Sequence, residues 1–265
     1  MFAVFNSPIQ WFSQITEYLT TSVKVLFSPC KFFNQTLTGG AINPLAHQLP
    51  EPNKLSEFLT IAVLIATLAA PLHQALLQQS GANEQLMQMA SLNYQKMIAN
   101  YTQVTGQYMT LIDLNQLTGI KVIDTPIADT FQLLSYLLFG VTFWLFSRGK
   151  LPAKSVMVYF IYAFGACLGL ETLLWLASDL FLVSQHQSGQ AYDIMTASTL
   201  GTIGSIPRML FLFIMPAVIF PKLYEVTTGQ VVRITLMAVI VWGLIGVTAS
   251  DAMLASGLIV IFPSF

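Results

Sequence analysis

Apolar positions in this chain come mostly in long runs rather than in alternation. A helix crossing ~30 Å of hydrocarbon needs ~20 apolar residues at 1.5 Å each. Residues 58–77 meet that length between Glu57 and Gln78, and 127–147 meet it and stop at Arg148. Residues 155–183 exceed it and would tilt. The fourth run is punctuated, with only 13 residues between Arg208 and Lys222. A full span there runs over about 201–221 and takes Arg208 inside, or a short helix starts at Pro207. Pro216 and Pro221 predict a kink or an end in it. The fifth run, about 234–262, is long enough to tilt or to break near Ser250 and Asp251. The pattern predicts an all-α fold: a polytopic membrane bundle of five transmembrane helices, occupying 55–265.

Residues 1–54 form an arm of different character. Phe5-Asn6-Ser7-Pro8-Ile9-Gln10-Trp11-Phe12 is echoed by Leu26-Phe27-Ser28-Pro29-Cys30-Lys31-Phe32-Phe33. Each copy places a serine as helix cap, a proline in the first turn and then aromatics. In the first copy Phe5, Ile9, Phe12, Ile15, Leu19, Val23 and Leu26 recur every three or four residues. That periodicity predicts amphipathic helices lying in the membrane interface, anchored by Trp11, Phe12, Phe32 and Phe33. Packing beneath the bundle and docking a soluble partner are the other uses of such a face.

The segment 79–126 between the first two spans is polar yet periodic. Met87, Ala90, Tyr94, Met97, Tyr101, Val104, Tyr108 and Leu111 alternate gaps of three and four, as a helical seam does. The spacing predicts a helical extracytoplasmic insertion, interrupted near Gly106. The seam either folds back on the spans or the membrane surface, or pairs with a second copy as a coiled coil.

Composition narrows the class. Of 265 residues 55% are hydrophobic and 9% charged, against about 25% charged in an ordinary soluble domain. A soluble globule and a disordered chain are both excluded. Eleven basic against twelve acidic residues argue against nucleic acid as a partner. Eight of the eleven basic residues fall in the arm, the 147–154 turn and the 222–233 loop. These regions share one side if there are five spans, so the N-terminus is expected in the cytoplasm and the C-terminus outside. No basic, apolar and small-residue succession marks a signal peptide, so the chain is expected to begin near Met1. Cys30 and Cys167 read as two small hydrophobes rather than a disulfide or metal site.

Ionisable groups inside spans are costly, and are usually paired or functional. Taking the fourth span to start near Gly201, Arg208 lies ~10 Å below its edge. Asp179 and Asp251 then sit at comparable depth, so Arg208 with Asp179 or Asp251 is the expected intramembrane ion pair. Glu171 and His73 form the alternative, a polar pathway for a proton or cation with these acids, and snorkelling is a third use. Gly165 and Gly169 offer a close-packing face, with Gly243 and Gly246 a weaker one. Metalloprotease HExxH, hydrolase GxSxG, phosphate-loop and dinucleotide glycine motifs are all absent from the sequence. No catalytic residue, cofactor or metal ligand is therefore assigned.

Leu26-Phe27-Ser28-Pro29-Cys30-Lys31-Phe32-Phe33, then Asn43-Pro44-Leu45 and a span, resembles the opening of bacterial members of the Yip family, the Ypt/Rab-GTPase-interacting-protein-like membrane proteins. Pro126-Ile127 before the second span, the basic turn Arg148-Gly149-Lys150, and Lys222-Leu223-Tyr224 through Arg233 before the last are similar too. The resemblance implies five helices, a cytoplasmic N-terminus and a membrane-organising or partner-binding role. The expected function is thus a non-enzymatic scaffold in a bacterial inner membrane. Its partners would be the lipid bilayer, another membrane or peripheral protein, and a second copy of the chain. A transporter or channel subunit is the alternative, and a membrane enzyme the third.

Overall fold

The structure, a computed structural model, describes residues 8–38, 52–113, 118, 120–188 and 194–261. In chain order it has α1 (Pro8–Phe27), α2 (Pro29–Thr38), α3 (Pro52–Ser80), α4 (Ala82–Thr105), β1 (Thr110–Asp113), α5 (Lys121–Phe146) and α6 (Ala153–Gln187). Then follow α7 (Ile194–Met209), a π-helical turn (Leu210–Ile214), α8 (Met215–Leu223), α9 (Thr228–Ala255) and β2 (Leu258–Ile261). The fold is an all-α bundle with, among the described residues, one pair of short strands. Among the described residues five stretches are long and apolar enough to cross a membrane: Asn53–Ser80, Ile123–Phe146, Ala153–Gln187, Ile203–Leu223 and Thr228–Ala255. The protein is thus a multi-pass membrane protein in its build. Of the five, Ala153–Gln187 is the most enclosed, with 72% of its apolar window buried against 22–39% for the others.

The chain divides into two compact units. The first comprises α1, α2, α3 as far as Ala66, Leu133–Glu171 and Gly204–Val239. Its core is aromatic: Tyr136, Phe143, Tyr159, Phe160, Phe164 and Phe220 are all fully buried. Their rings meet edge-on or tilted, as in Tyr136–Phe164 at 5.3 Å and Tyr159–Phe220 at 5.3 Å between centroids. Such pairs add roughly 1 kcal/mol each beyond area burial.

The arm packs into this first unit rather than standing apart from it. α1 passes to α2 across Ser28: Ser28 N–H donates to Lys24 O, and Phe32 N–H to Ser28 O. Pro29 opens the new helix where its missing N–H goes unneeded. On α1 the residues that turn inward are Tyr18, Ser22 and Val25. The apolar stripe faces outward instead, with Phe12 76%, Leu19 46% and Val23 54% exposed, and Phe27 beside it at 77%. Of the four expected interfacial anchors, Phe12 is exposed, while Trp11 and Phe32 are half-buried. Phe33 is corrected to a core residue: it is fully buried, its ring 4.7 Å from that of Tyr159. It is carried inward because α2 packs along α8. Phe5 lies outside the described residues, as do the Asn43-Pro44-Leu45 motif and the side chain of Ile9.

Gly165 and Gly169 accept side chains from the arm and α3. A Cβ on Gly165 would collide with the Phe58 ring, and one on Gly169 with the Tyr18 hydroxyl. That hydroxyl donates to Gly165 O at 2.8 Å. The bare glycines thus let a phenol reach an α6 carbonyl. Burial pushes the Tyr18 phenol up to about 12.

The second unit comprises Thr67–Gln132, Thr172–Ile203 and the chain from Ile240 onward. Here α4 is bounded by Gly81 and Gly106, both with left-handed backbone at φ 69° and 70°. The expected break at Gly106 is where the helix ends. After it the chain does something the periodicity does not announce: β1 pairs in parallel with β2, Thr110 opposite Leu258 and Asp113 opposite Ile261. Asp124, in the first turn of α5, accepts from the backbone N–H and hydroxyl of Thr118, both at 2.8 Å. This starts α5 six residues before the expected 127. On the seam, Tyr94 and Met97 are half-buried, Tyr101 is 37% exposed, and Val104 and Tyr108 are above 80%. The side chains of Met87 and Ala90 lie outside the described residues.

The last span also departs from expectation. It starts at Thr228 rather than 234, because Thr227 and Gln230 form a reciprocal cap: Thr227 N–H donates to Gln230 Oε1 at 3.1 Å, and Gln230 N–H to Thr227 Oγ1 at 3.2 Å. It runs unbroken past Ser250 and Asp251 and ends at Ala255. A Cβ on Gly243 or Gly246 would meet nothing within 4 Å among the described residues. Half-buried Thr142 and exposed Thr248 bond their hydroxyls back to Leu138 O and Leu244 O at 2.9 Å. This is how a hydroxyl is satisfied where no water reaches it.

Replacing Tyr18 by Phe removes one buried hydrogen bond and is expected to cost about 1 kcal/mol at neutral pH. The same substitution should lessen the loss of stability at high pH. The folded state holds this phenol neutral, while the unfolded chain ionises near 10, so the wild type weakens from pH 10 towards 12. Gly169→Leu should cost about 1–3 kcal/mol by collision. Thermal melts in detergent over pH 7–12 test all three.

Candidate functional site

The ionisable groups inside the spans form two candidate sites, one in each unit. Glu171 and Asp179 both project from α6, which supplies carboxylates within an otherwise apolar helix. Arg208 lies near the end of α7, one residue after Pro207. His73 lies in α3, two residues after Pro71.

Arg208 is 1% exposed and pairs with Glu171, Nη2 donating to Oε2. Glu171 is itself 13% exposed. The expected partners were Asp179 or Asp251, and both assignments are corrected. The reason is helix length. α7 starts at Ile194, seven residues before the assumed edge at Gly201. Arg208 therefore lies about 21 Å along its helix, at 1.5 Å per residue. Glu171 lies about 24 Å back from the end of α6 and Asp179 only about 12 Å, so Glu171 is level with the guanidinium. Asp251 is exposed in the last turns of α9 and makes no ion pair among the described residues.

Asp179 is 2% exposed and pairs instead with His73, whose Nδ1–H donates to Oδ2. His73 stands seven residues from the end of α3 and Asp179 eight from the end of α6, so the two depths match. The imidazole is 32% exposed and meets the Trp175 ring edge-on at 6.2 Å. Of the expected polar pathway, Glu171 and His73 are each engaged with an oppositely charged or chargeable partner.

The backbone beside Arg208 is rebuilt as well. Met215 N–H reaches back five residues to Leu210 O, which defines the π turn. The next residue is Pro216, with no N–H to offer Phe211 O. The Tyr159 hydroxyl donates to that carbonyl at 2.7 Å. Tyr136 donates to Arg208 O at 3.4 Å. The expected disruption at Pro216 is thus a π turn inside a continuing helix, and Pro221 lies two residues before the end of α8. Sequence reading missed the part of Tyr159. The signal available was Pro216 within an apolar run, which leaves carbonyls on the preceding turn wanting a donor.

Chemically the first unit holds the Glu171–Arg208 pair and phenols engaged with carbonyls, and the second holds the Asp179–His73 pair. Each pair offers charge neutralisation and helix stapling, and the second leaves its imidazole partly exposed. Among the described residues no three His, Cys, Asp or Glu side chains cluster as a metal site would require. Cys30 and Cys167 are free thiols. The chain matches no family model, no curated protein and no solved structure.

Removing one partner of a buried pair strands the other charge, at a cost of about 3–5 kcal/mol. Arg208→Gln or Glu171→Leu should therefore strongly reduce folded protein. The exchange Arg208→Glu with Glu171→Arg should restore much of it, whereas Arg208→Glu with Asp179→Arg should not. Monodisperse yield on size exclusion and melting temperature distinguish the two exchanges.

Proposed function

We propose that this is a non-enzymatic membrane protein that serves as a scaffold or interaction partner, of the Yip-like kind that its sequence resembles. The observation that carries the reading is the pairing of Glu171 with Arg208 and of Asp179 with His73. Groups that a solute pathway would need to bind and release cargo are here engaged in holding helices to one another. Surfaces for partners lie elsewhere. On α4, Leu92 and Val104 are exposed, and Tyr108 follows just beyond it, all outside the five apolar stretches. Large exposed apolar side chains favour a protein partner. The basic bias of the arm and of the 147–154 and 222–233 loops supports a cytoplasmic N-terminus, and with five crossings an extracytoplasmic C-terminus. A bacterial inner membrane suits both the sidedness and the resemblance.

One observation favours a second reading. His73 keeps about a third of its surface exposed while bonded to a buried carboxylate, an arrangement that suits proton handling in a transporter or channel subunit.

Photoreactive side chains placed at Val104, Tyr108 and, as a lipid-facing control, Leu244 should give discrete protein adducts at the first two and none at the third. Proteoliposomes of the pure chain should move no protons or cations. Ion movement that stops in Glu171→Gln or His73→Gln would overturn the scaffold reading and establish the second.

A further inference from the structure

A cleft of about 50 Å³ lies in the first unit, between α1, α3 and α6. Its floor is aromatic: the Phe58 ring sits 5.0 Å from that of Tyr18 and 4.9 Å from that of Tyr162. Its walls carry the carboxylates of Glu17 and Glu57, the ammonium of Lys54 and the amide of Gln14. No ion pair joins these three charges to one another among the described residues. Gln14 Oε1 is buried there with no hydrogen-bond partner, an acceptor left wanting a donor.

The level of the cleft matters. Phe58 packs on Gly165, which stands 12 residues, or about 18 Å, along α6 from Ala153. Lys54 is one helical turn below Phe58, so it stands about 12 Å above the start of α6. The turn before α6 holds Arg148 and Lys150, and Lys154 is its second residue, which mark the polar boundary at that end. The charged cleft lies on the membrane side of that turn, at the start of the first apolar stretch, Asn53–Ser80, where a span enters the headgroup layer. The same helix that forms one wall turns Phe12, Leu19, Val23 and Phe27 outward.

We propose that this cleft binds the headgroup of a zwitterionic phospholipid with a primary ammonium. The ammonium enters against Glu17 and Glu57, donates to Gln14 Oε1 and lies over the ring faces, as cations do on aromatic surfaces. The phosphate faces Lys54, and the acyl chains run along the outward stripe of α1. Two acids to one base disfavour an anionic headgroup. A primary ammonium supplies N–H donors for Gln14 Oε1, which a trimethylammonium lacks. The inference rests on the membrane-spanning build and not on the scaffold reading.

The test is lipid retention by the full chain. Protein reconstituted in nanodiscs of equal phosphatidylethanolamine, phosphatidylcholine and phosphatidylglycerol is extracted into detergent, and the bound lipid is read by native mass spectrometry. Phosphatidylethanolamine should be retained in preference to both others. Glu17→Gln with Glu57→Gln should reduce that preference about tenfold, the worth of one charge-assisted hydrogen bond. Lys54→Met should weaken retention of all phosphate-bearing lipids. Adding soluble phosphoethanolamine should displace the lipid only weakly, because it lacks the chains. Equal retention of the three lipids by the wild type, a result that depends on no variant folding, would overturn the proposal. So would an undiminished preference in the double carboxamide variant, or full displacement by the soluble headgroup.

Discussion

Hydrocarbon offers no hydrogen bonds, and this constraint governs the whole bundle. Every polar group carried into it must find its partner within the chain. Arg208 is the most demanding such group, fully buried in a span. Glu171 neutralises its charge, and Tyr136 donates to its carbonyl. The same rule works at smaller scale in Tyr159, whose hydroxyl takes the carbonyl that Pro216 leaves without a donor. It works again in the threonines that bond back to their own helices. The residues that look least at home in an apolar sequence are those that fix how its helices meet.

The aromatic content follows from the same constraint. Helices in lipid gain little from excluding apolar side chains from water, so association depends on close packing and directed contacts. Phenylalanines at helix crossings supply contact area, and tyrosines add a donor at the tip. Gly165 and Gly169 show the combination. The expected use of such a pair is backbone-to-backbone contact between helices. Here the space is taken by Phe58 and Tyr18, so the glycines receive rings and a hydroxyl.

The parts of the fold legible in the sequence were those set by length and composition: five spans, the break at Gly106, the helix start at Pro29, and Arg208 inside the fourth span. The errors came from edges. Counting depth from Gly201, rather than from the start of helix α7 at Ile194, moved Arg208 by about 10 Å and gave it the wrong carboxylate. The start of the last helix was legible after all, in Thr227-Thr228-Gly229-Gln230, a capping pattern hidden because polar residues precede the apolar run. The outward turn of the α1 stripe could not be read from periodicity. The spacing of apolar residues says which side of a helix is apolar but not whether protein or lipid meets it. Neither could Tyr159 be assigned its role before its level on α6 relative to Pro216 was known.

The parallel pairing of Thr110–Asp113 with Leu258–Ile261 joins residues 148 positions apart. Gly257 enables it with φ +74°, placing its carbonyl to accept from Thr110 N–H. A ribosome makes the first strand long before the second exists, and loop closure over such a distance is slow. The latch can therefore shut only when the final helix has been threaded. It makes the last residues of the described chain a record of completed insertion, which a truncated or mis-threaded product could not display.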